Sequence, residues 1–592
     1  MTAMQWFFTF MKKYRLNLIL GLFLVTITST IAIINPYVSG IVVDEIIKGG
    51  NRELLPLMMG IIIGATILRS VIKYCFLILF EKSSQGILFA MRDFVYRRML
   101  EQDFTFYNKN RTGDLMSRQT GDMDAVRHFV AFTIYNIYEN VLLFVIALIM
   151  IFVVDWRLAL IMIAVLPITA KVAVKQLKAV KPVFHNIRQH FSSLNTAVQE
   201  NISGNRVVKA FTKEDYEIEK FTKENDGYRE AELKATRIWK KYVPVFEFMG
   251  NILTVILFLI GGIMVVQGHM SMGKIVTVNG YLWMLNMPLR MAGWLANDYQ
   301  RFVTSIEKIY TTVTAEPGIR EPEKAIEKKR FKGDIVFRNV SYRAEDEVVL
   351  KDINFHVKPG QTIGIIGATG AGKSTLMNLL CRFYDVTSGE IEIDNINLKE
   401  MDLYSLRDNI GMAMQDVFLF SDTIEGNISY SRPDCSYDKV VEAAKIANAH
   451  DFIMQMPEGY DTIVGERGVG LSGGQKQRIS LARALLKDPS IIILDDTTSA
   501  VDMETETQIQ TALGSIHAKH TVFIIAHRIS SIKDADQILV LDDGRIIESG
   551  NHDELLNKKG YYYTVFHHQY GDFDSLSKGI SSSSKVNLEG GR

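Results

Sequence analysis

Cysteine is scarce: Cys75, Cys381 and Cys435 stand alone in 592 residues. That is too few and too scattered for a disulfide framework or a cysteine zinc site, and it fits a reducing interior. A surplus of either charge is missing too. Lysine plus arginine and aspartate plus glutamate number 66 each, so nothing drives the chain onto a polyanion and no nucleic-acid partner is expected. No internal repeat of roughly 20–50 residues is seen. At roughly 150 residues per domain the length corresponds to about four compact units, hence a multidomain protein. The apolar share of 48% is ordinary only as a mean, because apolar residues crowd into the first half.

A helix needs about 20 apolar residues to cross hydrocarbon, since every backbone polar group must be satisfied within the segment. Six stretches qualify, 16–38, 54–80, 132–154, 158–174, 243–267 and 275–296, and none after residue 300 comes close. No cleavable signal peptide is evident. The opening run from Met4 to Met11, followed by Lys12, Lys13 and Arg15, reads as an interfacial helix leading into a full-length span. Two long connections, 83–130 and 175–242, carry the basic residues, among them Arg92, Arg97, Arg98, Arg111, Arg118 and Arg127, then Lys178, Lys209, Lys213, Lys240 and Lys241. The positive-inside bias puts both connections and both termini in the cytoplasm. Their leucine, alanine, valine and aromatic content predicts that the spans continue as helices well beyond the bilayer.

The expected organisation is a transmembrane domain over 1–308, a charged, proline-bearing linker over 309–330, a soluble domain over 331–570 and a disordered tail over 571–592. Strand-like alternation at 334–342 and β-rich runs at 361–366, 491–494, 521–525 and 537–541 alternate with helical stretches, which predicts an α/β domain on a largely parallel sheet.

The run Gly367-Ala-Thr-Gly-Ala-Gly372-Lys373-Ser374 follows a predicted strand and precedes a helix expected over 376–383, the context a phosphate-binding loop requires. Its glycines let backbone N–H groups close on phosphates. Lys373 adds a point charge, and the Ser374 hydroxyl can ligate Mg²⁺. Asp495 ends a buried strand, where a metal-orienting acid belongs on a parallel sheet.

About twenty residues upstream of Asp495 stands Leu471-Ser472-Gly473-Gly474-Gln475-Lys-Gln-Arg478. With it the chain resembles the ATP-binding cassette family, as an exporter half-transporter with an α-helical polytopic membrane domain of six long transmembrane helices and an α/β P-loop nucleotide-binding domain. The resemblance implies ATP and Mg²⁺ as ligands, with Gly367, Thr369, Gly370, Gly372, Lys373, Ser374 and Thr375 on the nucleotide and Ser374, Gln415 and Asp495 on the metal. It also implies Tyr342 as the adenine-stacking aromatic, Gln415 as the Q-loop glutamine, residues 462–468 as the exporter X-loop, 499–502 with Asp502 as the D-loop, and His527 as the switch histidine. Ser472, Gly473, Gly474 and Gln475 serve the γ-phosphate of a second chain, so the working unit is a dimer. Cytoplasmic coupling helices are expected at 112–118 and 210–216.

One position departs from the family pattern. The glutamate that polarises the attacking water is replaced by Asp496, one methylene shorter, so ATP is expected to bind well and hydrolyse slowly. By analogy this implies a heterodimer in which the present chain contributes an intact signature to its partner's active site. A slow homodimer, or a nucleotide-gated regulatory or channel subunit, stands as the alternative. The lipid bilayer and a small amphipathic or lipid-like substrate complete the expected partners, and a bacterial-type plasma membrane the location. Within the spans, Glu247 and Arg290, near Pro244 and Pro288, either pair across the pathway or snorkel to the headgroups.

Overall fold

The computed structural model describes residues 1–465, 468, 470–497, 503–514 and 519–571. They form two compact units: Met1–Glu101 with Asn110–Glu316, and Gln102–Lys109 with the chain from Pro317 onward.

The first unit is helical throughout. Ala3–Lys48, Arg52–Leu100 and Thr112–Val154 are long and apolar enough to cross a membrane, and shorter apolar segments occur at Trp156–Val165 and Asn251–Val266. The stretches expected at 158–174 and 275–296 fall within the helical runs Trp156–Ser203 and Met272–Thr314, and that at 243–267 lies in Glu214–Val266 but for its last residue. At 1.5 Å per residue the unbroken helix Leu55–Leu100, 46 residues long, measures about 70 Å. Hydrocarbon is only about 30 Å thick, so more than half the helix lies outside it. The long connections are therefore helical extensions of the spans, as their composition indicates. Pro167, Pro182, Pro244 and Pro288 all sit inside helices.

Aromatic packing closes the interior of this unit. Phe129 stacks on Phe302 at 3.9 Å, and Tyr135 meets Phe76 and Phe80. Polar cross-links join distant helices: Asp122 accepts from Ser305 at 2.8 Å and pairs with Arg118, and His128 meets Asp298 at 3.1 Å. Glu247 and Arg290 are both exposed, and among the described residues no ion pair joins them.

The expected break at 308 is wrong by six residues. Met272–Thr314 continues through it because Ile306, Ile309 and Val313 keep an apolar face buried. The second unit likewise begins before 331. Ile326 bridges Met401, and Lys328 donates to Asp394 at 2.6 Å, so half of the expected linker is folded onto the domain. Of the two expected coupling helices, Thr112–Ser117 is a helix of the first unit. The stretch 210–216 is not one helix: 211–213 break it between Asn205–Ala210 and the helix from Glu214, with Thr212 at φ +51°.

The second unit holds two main sheets. One is antiparallel, in the order Glu347–Val357, Ile335–Ala344, Ser388–Ile393, Ile396–Asn397. The other runs Arg545–Gly550, Gln537–Asp542, Thr362–Gly367, Thr521–Ile525, Ile491–Asp495, Ile410–Ala413, all parallel except the Arg545–Gly550 edge. Near-continuous apolar runs such as the four residues that lead to Asp495 in Ile491–Asp495, a strand buried along its whole length, are what a sheet covered on both faces demands. Three neighbouring parallel strands consequently deliver Gly367, Asp495 and the residue before Ala526 to one edge.

Candidate functional site

The Thr362–Gly367 strand turns into the helix Lys373–Leu380 through a loop that only glycine can shape. Gly372 caps the helix at φ +94°, and a Cβ there would lie 2.6 Å from Leu350 Cδ2. At Gly367 a Cβ would lie 2.1 Å from the Leu541 carbonyl oxygen. The helix starts three residues before the expected 376, because the left-handed cap brings Lys373 into the first turn and leaves the N–H groups of that turn free of intrahelical partners. Ala368, Thr369 and Gly370 are exposed on the loop, and Ser374 and Thr375 are half-buried behind it.

Lys373 is buried, and its ammonium donates to the Gly367 and Ala368 carbonyls, both at 2.9 Å. Burial pushes its pKa down, opposed by Asp495 and Asp496. Asp495 is buried at the end of its strand, and burial pushes its pKa up. The hydrogen bond from Ser374 pulls it back, Asp496 raises it further, and Lys373 and His527 lower it. A buried cation and carboxylate, each held in its less comfortable state, form a site preorganised for a ligand that carries both anionic and cationic charge. Magnesium nucleotide fits that donor set: loop N–H groups and Lys373 for phosphate, the Ser374 hydroxyl and Asp495 for the metal. The bound metal would neutralise phosphate charge.

Asp496 sits at φ +49°, a left-handed conformation aspartate tolerates better than most residues. Its backbone is held on both sides. The N–H donates to the Ile525 carbonyl at 2.9 Å, and its carbonyl accepts from Gln477 Nε2 at 3.2 Å. Gln477, inside the quoted run but given no role there, since a glutamine inside a helix gives no local signal of such a contact, is buried.

The signature helix Gly473–Leu486 opens on Ser472 in a reciprocal cap: the Gln475 N–H donates to Ser472 Oγ at 3.3 Å, and the Ser472 N–H donates to Gln475 Oε1 at 2.8 Å. Among the described residues no hydrogen bond joins Ser472, Gly473, Gly474 or Gln475 to the Gly367 loop. Gln415 is exposed just beyond the Ile410–Ala413 strand. Arg483 of the signature helix donates to the Phe418 carbonyl at 3.1 Å and to the Asn427 carbonyl at 2.7 Å, tying that loop to the helix. Tyr342 is half-buried, 5.6 Å from Tyr384, and burial raises its pKa. His527 is exposed one residue past the buried Ala526. Asp502 with the rest of 499–502, and Glu466 and Arg467 of the X-loop, lie outside the described residues.

The short helix Phe104–Lys109 belongs to the second unit. Phe104 packs on Phe383 at 4.6 Å, Asn108 donates to the Tyr384 hydroxyl at 3.0 Å, and Asp103 accepts the Gly318 N–H at 2.5 Å. This segment, absent from the expected coupling stretches, leads on in sequence from the Leu55–Leu100 helix.

Residues 18–289 match the ABC transporter transmembrane region, and residues 350–499 match the ABC transporter family. The chain is 40% identical over 571 residues to an uncharacterized ABC transporter ATP-binding protein, YknU, of Bacillus subtilis, covering 95% of this chain and 97% of that one. It is 36% identical over 527 residues to an ATP-dependent lipid A-core flippase of Syntrophus aciditrophicus, covering 89% and 88% respectively. Among solved structures, a bacterial Atm1-family ABC exporter with ATP bound superposes with a TM-score of 0.80 at 28% identity, over 95% of this chain and 98% of that one.

Proposed function

Because the chain belongs to the ATP-binding cassette transporter family, we propose that it is one subunit of a dimeric exporter that moves a small amphipathic substrate, drug-like or lipid-like, across the plasma membrane. Its helical membrane domain and its ATPase domain make it an ATP-driven exporter. The finer reading is six spans with both termini and the nucleotide domain in the cytoplasm. Ser374, Asp495 and Gln415 would hold Mg²⁺, and Lys373 and the glycine loop would hold ATP. The observation that carries this is the group formed by the buried Lys373 and Asp495 with the half-buried Ser374 at the carboxyl edge of the parallel strands. The relative named as a lipid flippase supports an amphipathic substrate.

The chain's own residues do the following. Loop N–H groups and Lys373 bind phosphate, and Asp495 orients the Ser374 hydroxyl. His527 contacts the γ-phosphate, and Asp496 stands where the water-polarising carboxylate belongs. Ser472 and Gln475 exchange their reciprocal cap for a phosphate on a second chain. ATP is thus shared between two chains. Closure on it biases the spans toward one conformation, since the nucleotide binds the closed pair better. With Asp496 in place of glutamate, ATP at this chain's loop is held and hydrolysed slowly, and Ser472–Gln475 complete a faster site on a different subunit that carries the glutamate.

The test is turnover of the purified chain in proteoliposomes, alone and with the product of an adjacent gene. Tight nucleotide binding with weak hydrolysis alone, and vanadate-sensitive transport on pairing, is the expected outcome. Robust ATPase by the chain alone would end the heterodimer reading and leave a homodimeric exporter. Asp496 also favours a second reading, a nucleotide-gated regulatory or channel subunit. Nucleotide-dependent ion currents without transport would establish it in place of the pump.

A further inference from the structure

The segment that carries His527 is held from two sides by residues remote in sequence. On one side lies the helix over 561–571, whose Gln569 bridges the segment with a single primary amide. Nε2 donates to the His527 carbonyl at 2.8 Å, and Oε1 accepts the Ile529 N–H at 2.9 Å. A carbonyl at one residue and an N–H two residues on are the pair that a neighbouring parallel strand would engage. Arg528 between them is extended, at φ −103° and ψ 132°. The Gln569 side chain therefore takes the place of a strand where the sheet has ended. On the other side, the buried carboxylate of Glu506 accepts from the Ser530 and Ser531 hydroxyls and pairs with Arg528 at 3.4 Å, while Gln510 donates to the Ser530 carbonyl at 3.4 Å.

The 561–571 helix is itself firmly seated. Glu548 accepts the Tyr561 and Tyr562 N–H groups, and the buried Tyr562 meets His552 at 2.7 Å. Tyr561, Tyr562, Val565 and Phe566 pack with Ile366, Ala526 and Ile529. Ile366 directly precedes Gly367, and Ala526 directly precedes His527, so one helix rests on both strands that present the phosphate-binding groups. The imidazole of His527 is exposed and makes no hydrogen bond among the described residues, so its aim depends on the backbone that bears it.

We propose that Gln569 is a positioning residue for His527: its amide fixes the peptide planes from 527 to 529 and thereby points the imidazole at phosphate held on the Gly367 loop. The inference rests on reading His527 as the γ-phosphate contact. Removing the clamp leaves the glycine loop intact, so nucleotide binding is kept while the bond-breaking step slows. Misplacing a reacting-site group by about an ångström costs on the order of a hundred-fold, so a fall of roughly ten- to a hundred-fold is expected.

The experiment uses full-length protein in lipid nanodiscs and single-turnover hydrolysis of ATP with enzyme in excess, which reads slow sites. Hydrogen exchange of the peptide covering 526–532, without nucleotide, supplies a readout independent of activity. Gln569→Ala should slow hydrolysis by that factor, leave half-saturating ATP within about twofold and speed exchange at the Ile529 amide. Gln569→Glu has the same length and volume and keeps the acceptor for Ile529, but sets a carboxylate against the His527 carbonyl. It should slow hydrolysis like the alanine variant while exchange at Ile529 stays slow. Wild-type hydrolysis by Gln569→Glu would mean that the side chain only fills space, and wild-type hydrolysis by both variants would mean that it aims nothing. A rise in half-saturating ATP to match the lost rate would mean general damage to the site. Each of these three overturns the inference with the role of His527 intact. If instead His527→Ala hydrolyses ATP at the wild-type rate, the reading of His527 fails, and the inference with it.

Discussion

Asp496→Glu should make the chain faster and less stable at once. The backbone at 496 cannot slide to make up for the missing methylene, because its N–H is bonded to the Ile525 carbonyl at 2.9 Å and its carbonyl receives Gln477 at 3.2 Å. The carboxylate therefore stays about one carbon–carbon bond, ~1.5 Å, short of where a glutamate would reach. A misplacement of that size costs about a hundred-fold, and a positioned base contributes 10²–10⁴-fold. Restoring it should raise turnover about a hundred-fold, or ~2.7 kcal/mol of barrier. The same φ of +49° suits aspartate better than glutamate. Carrying the longer residue there should cost about 1 kcal/mol, a drop of roughly 2–4 °C in melting temperature for a domain of this size. Phosphate release by the purified chain and thermal melting of the same sample measure both effects, with Asp496→Asn as the control that should not exceed the wild type. Turnover of Asp496→Glu equal to wild type would refute the reasoning and show that some other group limits hydrolysis.

Asp495→Asn should melt higher than wild type at neutral pH without nucleotide. A carboxyl whose folded pKa is raised binds its proton more tightly folded than unfolded, so wild-type stability falls as pH rises from the ordinary value of 3.8 through the raised one. Melting temperature against pH checks this: the variant should lack that slope and gain nothing from magnesium nucleotide, and identical curves would count against it. Gly372→Ala must place a side chain at φ +94° and 2.6 Å from Leu350. It should lose about 1–3 kcal/mol of stability in thermal or denaturant unfolding and most nucleotide binding in an equilibrium titration. Phe104→Ala deletes the ring on Phe383, worth about 0.5–1.5 kcal/mol. It should leave basal ATPase near wild type while reducing substrate export in vesicles, and equal losses of both would show that the ring serves only the stability of the second unit.

Phosphate chemistry is legible in the chain because it demands contiguous residues. A loop that must close backbone N–H groups on an anion needs Gly367, Gly372, Lys373 and Ser374 in one run, and a strand ending in Asp495 needs its apolar neighbours. The membrane half is legible for a similar reason, since length and apolarity suffice. What escaped is held by contacts that no local pattern requires. The helix boundary at Thr314 depends on burial of Ile309 and Val313, which a polar-looking run conceals. Phe104 earned no notice in a mixed stretch, although its ring packs on Phe383, 279 positions away. Gln477 and Gln569 look like any glutamine on a helix, yet each satisfies backbone groups beside a residue of the site. The motif residues touch the ligand, so their chemical types are constrained. The supporting residues touch backbone, which almost any side-chain amide or hydroxyl could satisfy, so only the fold reveals which one does. Mutations that separate binding from turnover in this chain should accordingly concentrate at such backbone-supporting positions rather than in the glycine loop.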